Sequence, residues 1–110
     1  MLPLETSVDD VKRRLAAGEI KLLDCRELDE YQTARIEGGE LIPMREVPGR
    51  LPEIEALAES TQSLVVYCHH GVRSMNVANW LRQQGVENVQ SMAGGIDYWS
   101  LAVDPGVPRY

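Results

Sequence analysis

The stretch from Leu64 to Gln84 constrains the fold of this chain more than any other segment. An apolar strand, Leu64–Tyr67, runs into the short loop Cys68–Arg73, and an amphipathic helix, Ser74–Gln84, follows directly. This order places a cysteine at the carboxyl end of a buried strand, facing a helix amino terminus. The first N–H groups of a helix have no backbone partner and carry partial positive charge. The segment therefore predicts a site that stabilises a thiolate or another anion.

The rest of the chain alternates between predicted strands and predicted helices. Strands are predicted at Ile20–Asp24, Glu40–Ile42, Leu64–Tyr67 and Asn88–Met92. Helices are predicted from Val8 towards Gly18, at Asp29–Arg35, Pro52–Glu59 and Ser74–Gln84, and from Gly94 through Trp99. This alternation indicates an α/β fold with a mostly parallel central sheet. Ligands of such folds bind beyond the carboxyl ends of strands, where both Cys68 and the segment Asp24-Cys25-Arg26 lie.

Composition limits the class of protein. A length of 110 residues with 44% apolar residues predicts one domain over residues 1–110, with an extended tail over residues 102–110. The longest apolar run, Leu64–Cys68, is too short to span a membrane, and Met1–Glu5 does not resemble a signal peptide. We therefore predict a cytoplasmic protein without a membrane partner. The only cysteines, Cys25 and Cys68, form neither a disulfide framework nor a CxxC metal motif, so no metal site is predicted.

The charge is unevenly distributed along the chain. Residues 1–60 contain 14 acidic and 8 basic side chains, whereas residues 61–110 contain 3 of each, so the net charge of −6 lies in the first half. No basic stripe is present, which argues against nucleic acid as a partner. The loop itself is locally cationic, because it contains Arg73 and two histidines. A small anionic substrate is the expected ligand.

The length of the loop separates the possible cysteine chemistries. Four residues lie between Cys68 and Arg73. Cysteine phosphatases and arsenate reductases with related loops have one residue more, which encloses a tetrahedral oxyanion. The shorter loop favours a smaller guest, such as one extra sulfur atom on Cys68. Covalent catalysis through Cys68 is the expected use of this site.

Four stretches of this sequence together resemble the single-domain rhodaneses, the thiosulfate sulfurtransferase family, over essentially the whole chain. Each is modest evidence alone, but all four occur in the family's order. They are Leu23-Asp24-Cys25-Arg26-Glu27 with Glu30-Tyr31, Ile36-Glu37-Gly38-Gly39 with Ile42-Pro43, Tyr67-Cys68-His69-His70-Gly71-Val72-Arg73-Ser74, and Ala93-Gly94-Gly95-Ile96-Asp97-Tyr98-Trp99.

The resemblance implies a rhodanese-like three-layer fold, with a mostly parallel sheet flanked by helices, and a persulfide mechanism. Cys68 would take the sulfane sulfur of a small anionic donor such as thiosulfate, and cyanide, a thiol or a partner protein would then accept it. No metal or organic cofactor is implied. Arg73 would attract the donor. The predicted substrate- and persulfide-binding loop consists of His69, His70, Gly71, Val72, Arg73 and Ser74.

Two features qualify the resemblance. Arg35 stands where the family commonly has a histidine. The final segment, Asp104–Tyr110, resembles the tail of the rhodanese domains of molybdopterin-synthase sulfurylases, although the adenylating domain of those proteins is not present in this sequence. This similarity suggests a carrier protein as the sulfur acceptor.

Several residues have a second interpretation that the sequence leaves open. Arg73 either attracts the donor or closes a structural ion pair. His69 and His70 either line the site or simply face solvent, and Ser74 either faces the sulfur or only begins a helix. Cys25 is either an inert residue at a strand end or a neighbour of Cys68 that resolves the persulfide into a disulfide. Asp24, Arg26 and Glu30 are expected to form a polar cluster, with Arg26 and Glu30 spaced as a helical pair.

Three functions are compatible with the sequence. The leading hypothesis is a sulfurtransferase, and the alternative is a non-catalytic rhodanese-like module that recruits or regulates a partner. A phosphatase or arsenate reductase is disfavoured by the loop length. The cysteine, glycine and arginine of the loop favour catalysis, because a scaffold would not need them.

Overall fold

Five strands and five helices alternate along residues 2–110, the part of the chain that this computed structural model describes. The strands are β1 (Glu5–Thr6), β2 (Ile20–Asp24), β3 (Glu40–Leu41), β4 (Ser63–Tyr67) and β5 (Val89–Met92). The helices are α1 (Val8–Ala16), α2 (Leu28–Thr33), α3 (Leu51–Glu59), α4 (Val72–Gln83) and α5 (Gly95–Ala102). Two 3-10 helices, Met44–Glu46 and Pro48–Arg50, connect β3 to α3.

The five strands form one sheet in the order β1-β5-β4-β2-β3, and every neighbouring pair is parallel. Side chains of α3 and α4 pack on one face of the sheet, and those of α1 and α5 pack on the other. The predicted α/β architecture, with a parallel sheet between helices, is confirmed. Because β4 lies at the centre, all five of its residues are buried, as expected for a strand covered on both faces.

A local sequence signal accounts for the start of α1. Ser7 caps this helix, because its Oγ accepts the N–H of Asp10 at 3.1 Å. Val8 and Val11 turn towards the sheet and are buried.

Within residues 2–110, none of the helices combines the length and the apolar character needed to cross a membrane.

The structure corrects several predicted boundaries. α4 begins at Val72 rather than at Ser74, because Gly71 turns the chain and the two residues after it are already helical. α2 covers Leu28–Thr33 rather than Asp29–Arg35. β1 was not predicted at all. Its two residues are too few to show periodicity, and they become a strand only by pairing with the edge of β5.

Residues 103–110, which follow α5, form turns and extended backbone. Val107 is buried against the sheet face that carries α1 and α5, and its carbonyl oxygen accepts the hydroxyl of Ser100 at 2.6 Å. This anchor directs the last residues back across the carboxyl edge of the sheet. Tyr110 consequently lies against the loop that follows β4, with its ring stacked on that of His69.

Candidate active site

Two neighbouring strand ends place the two cysteines next to each other. β2 and β4 pair with Asp24 opposite Tyr67, so Cys25 and Cys68 are the next residues on the two strands. The N–H of Cys25 donates to the carbonyl oxygen of Tyr67 at 3.1 Å, and the Cys25 sulfur lies 3.5 Å from the same oxygen. Both thiols are free and buried. Both side chains belong to the same buried cluster on one face of the sheet.

Backbone donors converge on Cys68 from the start of α4. The N–H of Gly71 lies 3.1 Å from the Cys68 sulfur, and the N–H of Ser74 lies 3.3 Å from it. The Ser74 hydroxyl is 3.4 Å from the same sulfur and 2.7 Å from the hydroxyl of Ser91 on β5. Both N–H groups belong to the unpaired set at a helix amino terminus. The site therefore presents hydrogen-bond donors to a sulfur anion.

Two glycines allow the loop to take this shape. Gly71 has φ +102°, which side-chain-bearing residues rarely adopt, and this turn directs its N–H at the sulfur. Gly95 begins α5 where a Cβ atom would collide with the backbone carbonyls of Cys68 and His69. The close approach lets Ile96 and Asp97 donate their N–H groups to those carbonyls, at 2.9 and 3.1 Å. The loop is thus held between the amino termini of α4 and α5.

These contacts decide the ionisation of the two thiols. The pKa of Cys68 lies well below its usual value, chiefly because the Cys25 thiol donates a hydrogen bond to it. Burial opposes this shift, while the hydroxyl and N–H of Ser74 and the N–H of Gly71 add to it. The pKa of Cys25 is strongly raised, first by its hydrogen bond to Cys68 and then by burial. The two shifts favour the thiolate form of Cys68 and the protonated form of Cys25.

Arg73 forms an ion pair with a residue of α2. Its Nη1 and Nη2 donate to the two carboxylate oxygens of Glu30 at 2.7 and 2.9 Å. Mainly because of Arg73, the pKa of Glu30 falls to about 2. The structural ion pair that the sequence left open for Arg73 is therefore present, and attraction of an anionic donor stays a prediction.

The predicted helical pair of Arg26 and Glu30 is wrong. Arg26 donates instead to both carboxylate oxygens of Asp24, from Nε at 2.9 Å and from Nη2 at 2.7 Å. Arg26 reaches only the backbone carbonyl of Glu30, at 3.4 Å. Asp24 lies two residues before Arg26 in the chain, so its carboxylate is close to the Arg26 guanidinium. The Glu30 side chain on α2 instead contacts Arg73. Asp24, Arg26 and Glu30 nevertheless belong to one polar cluster, because Tyr110 joins its two halves.

Tyr110 is the site residue that sequence reasoning missed. Its hydroxyl accepts Nη1 of Arg26 at 2.9 Å and donates to Glu30 at 2.7 Å. Its ring stacks on His69 with centroids 3.8 Å apart and planes 9° apart. The tail resemblance was the only signal that pointed to this segment, and it gave no indication of the contact.

The loop side chains divide into a covered and an exposed group. His69 lies between the rings of Tyr110 and His70, and its Nε2 atom is buried without a hydrogen-bond partner in the described part of the chain. His70 faces solvent, with Nδ1 4.0 Å from a carboxylate oxygen of Asp97. Val72 is 71% exposed. The structure thus groups Cys68 with Gly71 and Ser74 through direct contacts to the sulfur, and places His70 and Val72 on the outer rim.

Residues 7–102 match the family model described as Rhodanese-like domain. The chain belongs to the rhodanese-like family. This membership accounts for the four stretches found in the sequence and for the loop built around Cys68.

Three relatives show how far the similarity extends. A rhodanese-like/PpiC domain-containing protein 12, chloroplastic, from Arabidopsis thaliana is 39% identical over 92 residues, which cover 84% of this chain but 31% of that protein. The thiosulfate sulfurtransferase GlpE of Pseudoalteromonas translucida is 31% identical over 91 residues, 83% of each chain. The structure of the human single-domain sulfurtransferase TSTD1 matches with a TM-score of 0.79 at 23% identity, over 92% of this chain and 98% of that one. The last similarity shows the fold alone.

Proposed function

We propose that this rhodanese-like chain is a sulfurtransferase that carries sulfane sulfur on Cys68. The observation that supports this proposal most strongly is the pair of N–H groups, from Gly71 and Ser74, that point at the Cys68 sulfur. A thiolate is the reactive form of cysteine, and a lowered pKa keeps it populated at neutral pH. The relative named thiosulfate sulfurtransferase GlpE supports thiosulfate as the donor.

The reaction has two balanced steps. The Cys68 thiolate attacks the outer sulfur of thiosulfate, a sulfur–sulfur bond forms, and sulfite leaves with the electron pair of the broken bond. The persulfide anion then gives its outer sulfur to a nucleophilic acceptor, such as cyanide or a thiol, and the Cys68 thiolate returns. Donors that stabilise the thiolate also stabilise Cys68 as leaving group in the second step.

The surroundings of the loop support a small anionic donor. Arg73 is 31% exposed, so its outer face is accessible while Glu30 holds the guanidinium. Both of its terminal nitrogens donate to Glu30, which leaves them engaged rather than free to enclose a tetrahedral phosphate. This pairing and the loop length both favour sulfur transfer over phosphate ester hydrolysis. A cytoplasmic location belongs to the same proposal, because a reducing compartment preserves the thiolate.

The alternative is a non-catalytic module that uses the same fold to bind a partner. If the chain is such a module, it should carry no transferable sulfur. A partner protein that accepts sulfur would instead combine binding with catalysis, and the exposed Val72 at the loop rim is available for such a contact. The two functions therefore differ in one measurable property, the formation of a persulfide.

Intact-protein mass spectrometry after thiosulfate treatment tests the proposal. We expect a gain of one sulfur atom, removed by cyanide with formation of thiocyanate, and peptide mapping should locate it on Cys68. Cys68→Ala should abolish the adduct. Ser63→Ala, which changes a buried serine at the opposite end of β4, is the matched control and should retain it.

The outcomes separate all three functions. Absence of an adduct with every sulfane donor, in a folded protein, would refute the sulfurtransferase and favour the binding module. Hydrolysis of an aryl phosphate without an adduct would favour the phosphatase. Circular dichroism of Cys68→Ala and Ser63→Ala excludes unfolding as the cause of a lost signal.

A further inference from the structure

Cys25 is a buried thiol that the transfer reaction does not consume. It lies on β2, directly beside Cys68 on β4, and both side chains belong to the same apolar cluster. Neighbouring parallel strands lie about 4.8 Å apart. Disulfides join residues whose Cα atoms are about 4.4–6.8 Å apart, so the strand spacing suits a covalent link between the two cysteines.

The arrangement around the Cys68 sulfur has two distinct flanks. Ser74 and its partner Ser91 approach from the side of β5, whereas Cys25 approaches from the side of β2. The N–H groups of Gly71 and Ser74 approach the Cys68 sulfur from the end of the loop and from the first turn of α4. Displacement at a sulfur atom requires the attacking and leaving atoms on opposite sides. Attack by Cys25 therefore comes from the β2 side of Cys68, opposite to the β5 side on which Ser74 contacts Ser91.

We propose that Cys25 resolves the Cys68 persulfide when no acceptor takes its sulfur, forming a Cys25–Cys68 disulfide and releasing hydrosulfide. This inference rests on the proposed function, because it needs the persulfide as its starting point. A bond forms between the two cysteine sulfurs, and the bond between the Cys68 sulfur and the outer sulfur breaks. The outer sulfur leaves with the electron pair and becomes hydrosulfide by taking one proton from solvent, while the Cys25 thiol releases one proton to solvent as it attacks.

The step balances without an added oxidant. The outer sulfane sulfur is reduced to hydrosulfide, and the two cysteine sulfurs are oxidised to the disulfide. Cys25 has its proton available, because its pKa is raised in the resting site. Cys25 loses that proton as it attacks, because the thiolate is the nucleophilic form of cysteine, and the released sulfide takes up one proton in exchange. A thiol reductant returns the disulfide to the two thiols and so reopens the site.

Resolution protects the chain when no sulfur acceptor is present. A persulfide without an acceptor stays exposed to further oxidation, whereas a disulfide is restored by a thiol. The chain would thus have two outputs, sulfur transfer to an acceptor and hydrosulfide release with closure of the site. The relative rates depend on the concentration of acceptor, since resolution is intramolecular.

The test follows the persulfide over time after the donor has been removed. The protein is treated with thiosulfate, desalted without reductant, and sampled by non-reducing intact mass spectrometry and a sulfide assay. We expect the sulfur adduct to convert into a species two hydrogens lighter than the thiol form, with one hydrosulfide released per chain. Non-reducing peptide mapping should find Cys25 linked to Cys68, and dithiothreitol should restore both thiols.

Cys25→Ser and Cys25→Ala are the decisive variants, and Cys68→Ser is the matched control that forms no adduct. In a folded Cys25 variant the adduct should persist at least about tenfold longer than in the parent protein, because a held neighbouring thiol has a high effective concentration. An adduct that decays equally fast in the parent and in either Cys25 variant, with no Cys25–Cys68 link, would overturn the inference alone. Absence of any adduct in the parent protein would overturn the proposed function and this inference together.

Discussion

Two arginine–carboxylate pairs lie next to each other at the carboxyl edge of the sheet, and they differ in burial. Asp24 and Arg26 are both 0% exposed at the side chain, whereas Glu30 and Arg73 are 17% and 31% exposed. The hydroxyl of Tyr110 connects them, accepting from Arg26 and donating to Glu30. The Asp24–Arg26 pair is thus fully buried, whereas the Glu30–Arg73 pair is partly exposed beside the loop that follows β4.

The buried pair is suited to hold the strand ends in place. Every polar direction of Arg26 has a partner, because Asp24, the carbonyls of Ala34 and Glu30, and the Tyr110 hydroxyl accept from it. A buried charge is tolerated only when it is paired and hydrogen-bonded in this way. Asp24 is the last residue of β2, and Arg26 follows on the other side of Cys25. It therefore supports the reactive edge without contacting the sulfur.

The partly exposed pair, Arg73 and Glu30, lies close enough to Cys68 to affect its charge. Arg73 follows Gly71 in the first turn of α4, and its charge interacts favourably with the Cys68 thiolate. Glu30 neutralises part of that charge while it holds the guanidinium. The difference in burial indicates that the Asp24–Arg26 pair contributes to stability and that the Glu30–Arg73 pair contributes to the electrostatics of the site.

Removing one partner of the buried pair should have the largest effect. Asp24→Asn leaves the Arg26 charge buried and uncompensated, so we expect a loss of about 3–5 kcal/mol in the free energy of unfolding. Urea denaturation measures this loss. Asp9→Asn, at an exposed position of α1, is the control and should change stability by less than about 0.5 kcal/mol. Equal effects of the two substitutions would contradict the assignment of the buried pair to stability.

The exposed pair should contribute a pH-dependent part of the stability. The pKa of Glu30 is lowered from 4.5 to about 2, so this contribution is complete above pH 4.5 and disappears as the pH falls towards about 2. Glu30→Gln should cost about 1–2 kcal/mol at neutral pH and almost nothing at the acid end of that window. Urea denaturation at several pH values checks the slope. The matched control is Glu53→Gln, which removes the carboxylate of Glu53 from its surface ion pair with Arg50. If the free energy of unfolding changed with pH in the same way in both variants, the prediction would be refuted.

Rates of persulfide formation should separate the two partners of the exposed pair. Arg73→Ala removes the positive charge beside Cys68, and we expect the second-order rate with thiosulfate to fall about tenfold, equivalent to about 1.4 kcal/mol. Glu30→Gln should raise the same rate, because it leaves the charge of Arg73 uncompensated. Stopped-flow measurement of sulfite release gives both values.

Arg50→Ala is the matched control for the arginine, since Arg50 pairs with carboxylates on the surface near α3. Its rate should equal that of the parent protein. Equal losses in Arg73→Ala and Glu30→Gln would show that the pair acts only by holding the loop in shape.

Loss of the link between the pairs should have the smallest effect. Tyr110→Phe keeps the ring that stacks on His69 but removes the hydroxyl shared by Arg26 and Glu30. We expect a loss of about 1 kcal/mol in the free energy of unfolding. Tyr98→Phe, at a 52% exposed position of α5, should leave stability unchanged. A loss as large as that of Asp24→Asn would mean that the two pairs form a single unit.

Local order in the sequence was sufficient to predict the reactive loop. An apolar strand, a cysteine, a glycine turn and a helix follow each other without interruption, so the N–H donors near Cys68 come from its own neighbours in the chain. The same locality explains why α1 and α3 were placed within a few residues. Helix boundaries were less accurate, since Gly71 could begin α4 earlier than the polar Ser74 suggested.

Contacts between distant segments could not be predicted in the same way. The pairing of Arg73 with Glu30 joins residues 43 positions apart, and the contact of Tyr110 with Glu30 joins residues 80 positions apart. No pattern in the sequence of either segment indicates which distant residue it contacts. The helical spacing of Arg26 and Glu30 suggested a local pair that the fold does not form, because Asp24 offers a closer carboxylate.

The sequence by itself determined that this chain forms an α/β fold and that Cys68 lies in an anion-stabilising loop, because both depend on hydrophobic runs and turn residues that are close in the chain. Only the tertiary structure decided that Cys25 lies beside Cys68, since that contact requires β2 to pair with β4 in the order β1-β5-β4-β2-β3. Strand order depends on how the two sheet faces are covered by helices. It therefore emerges from packing of the whole chain rather than from any one segment.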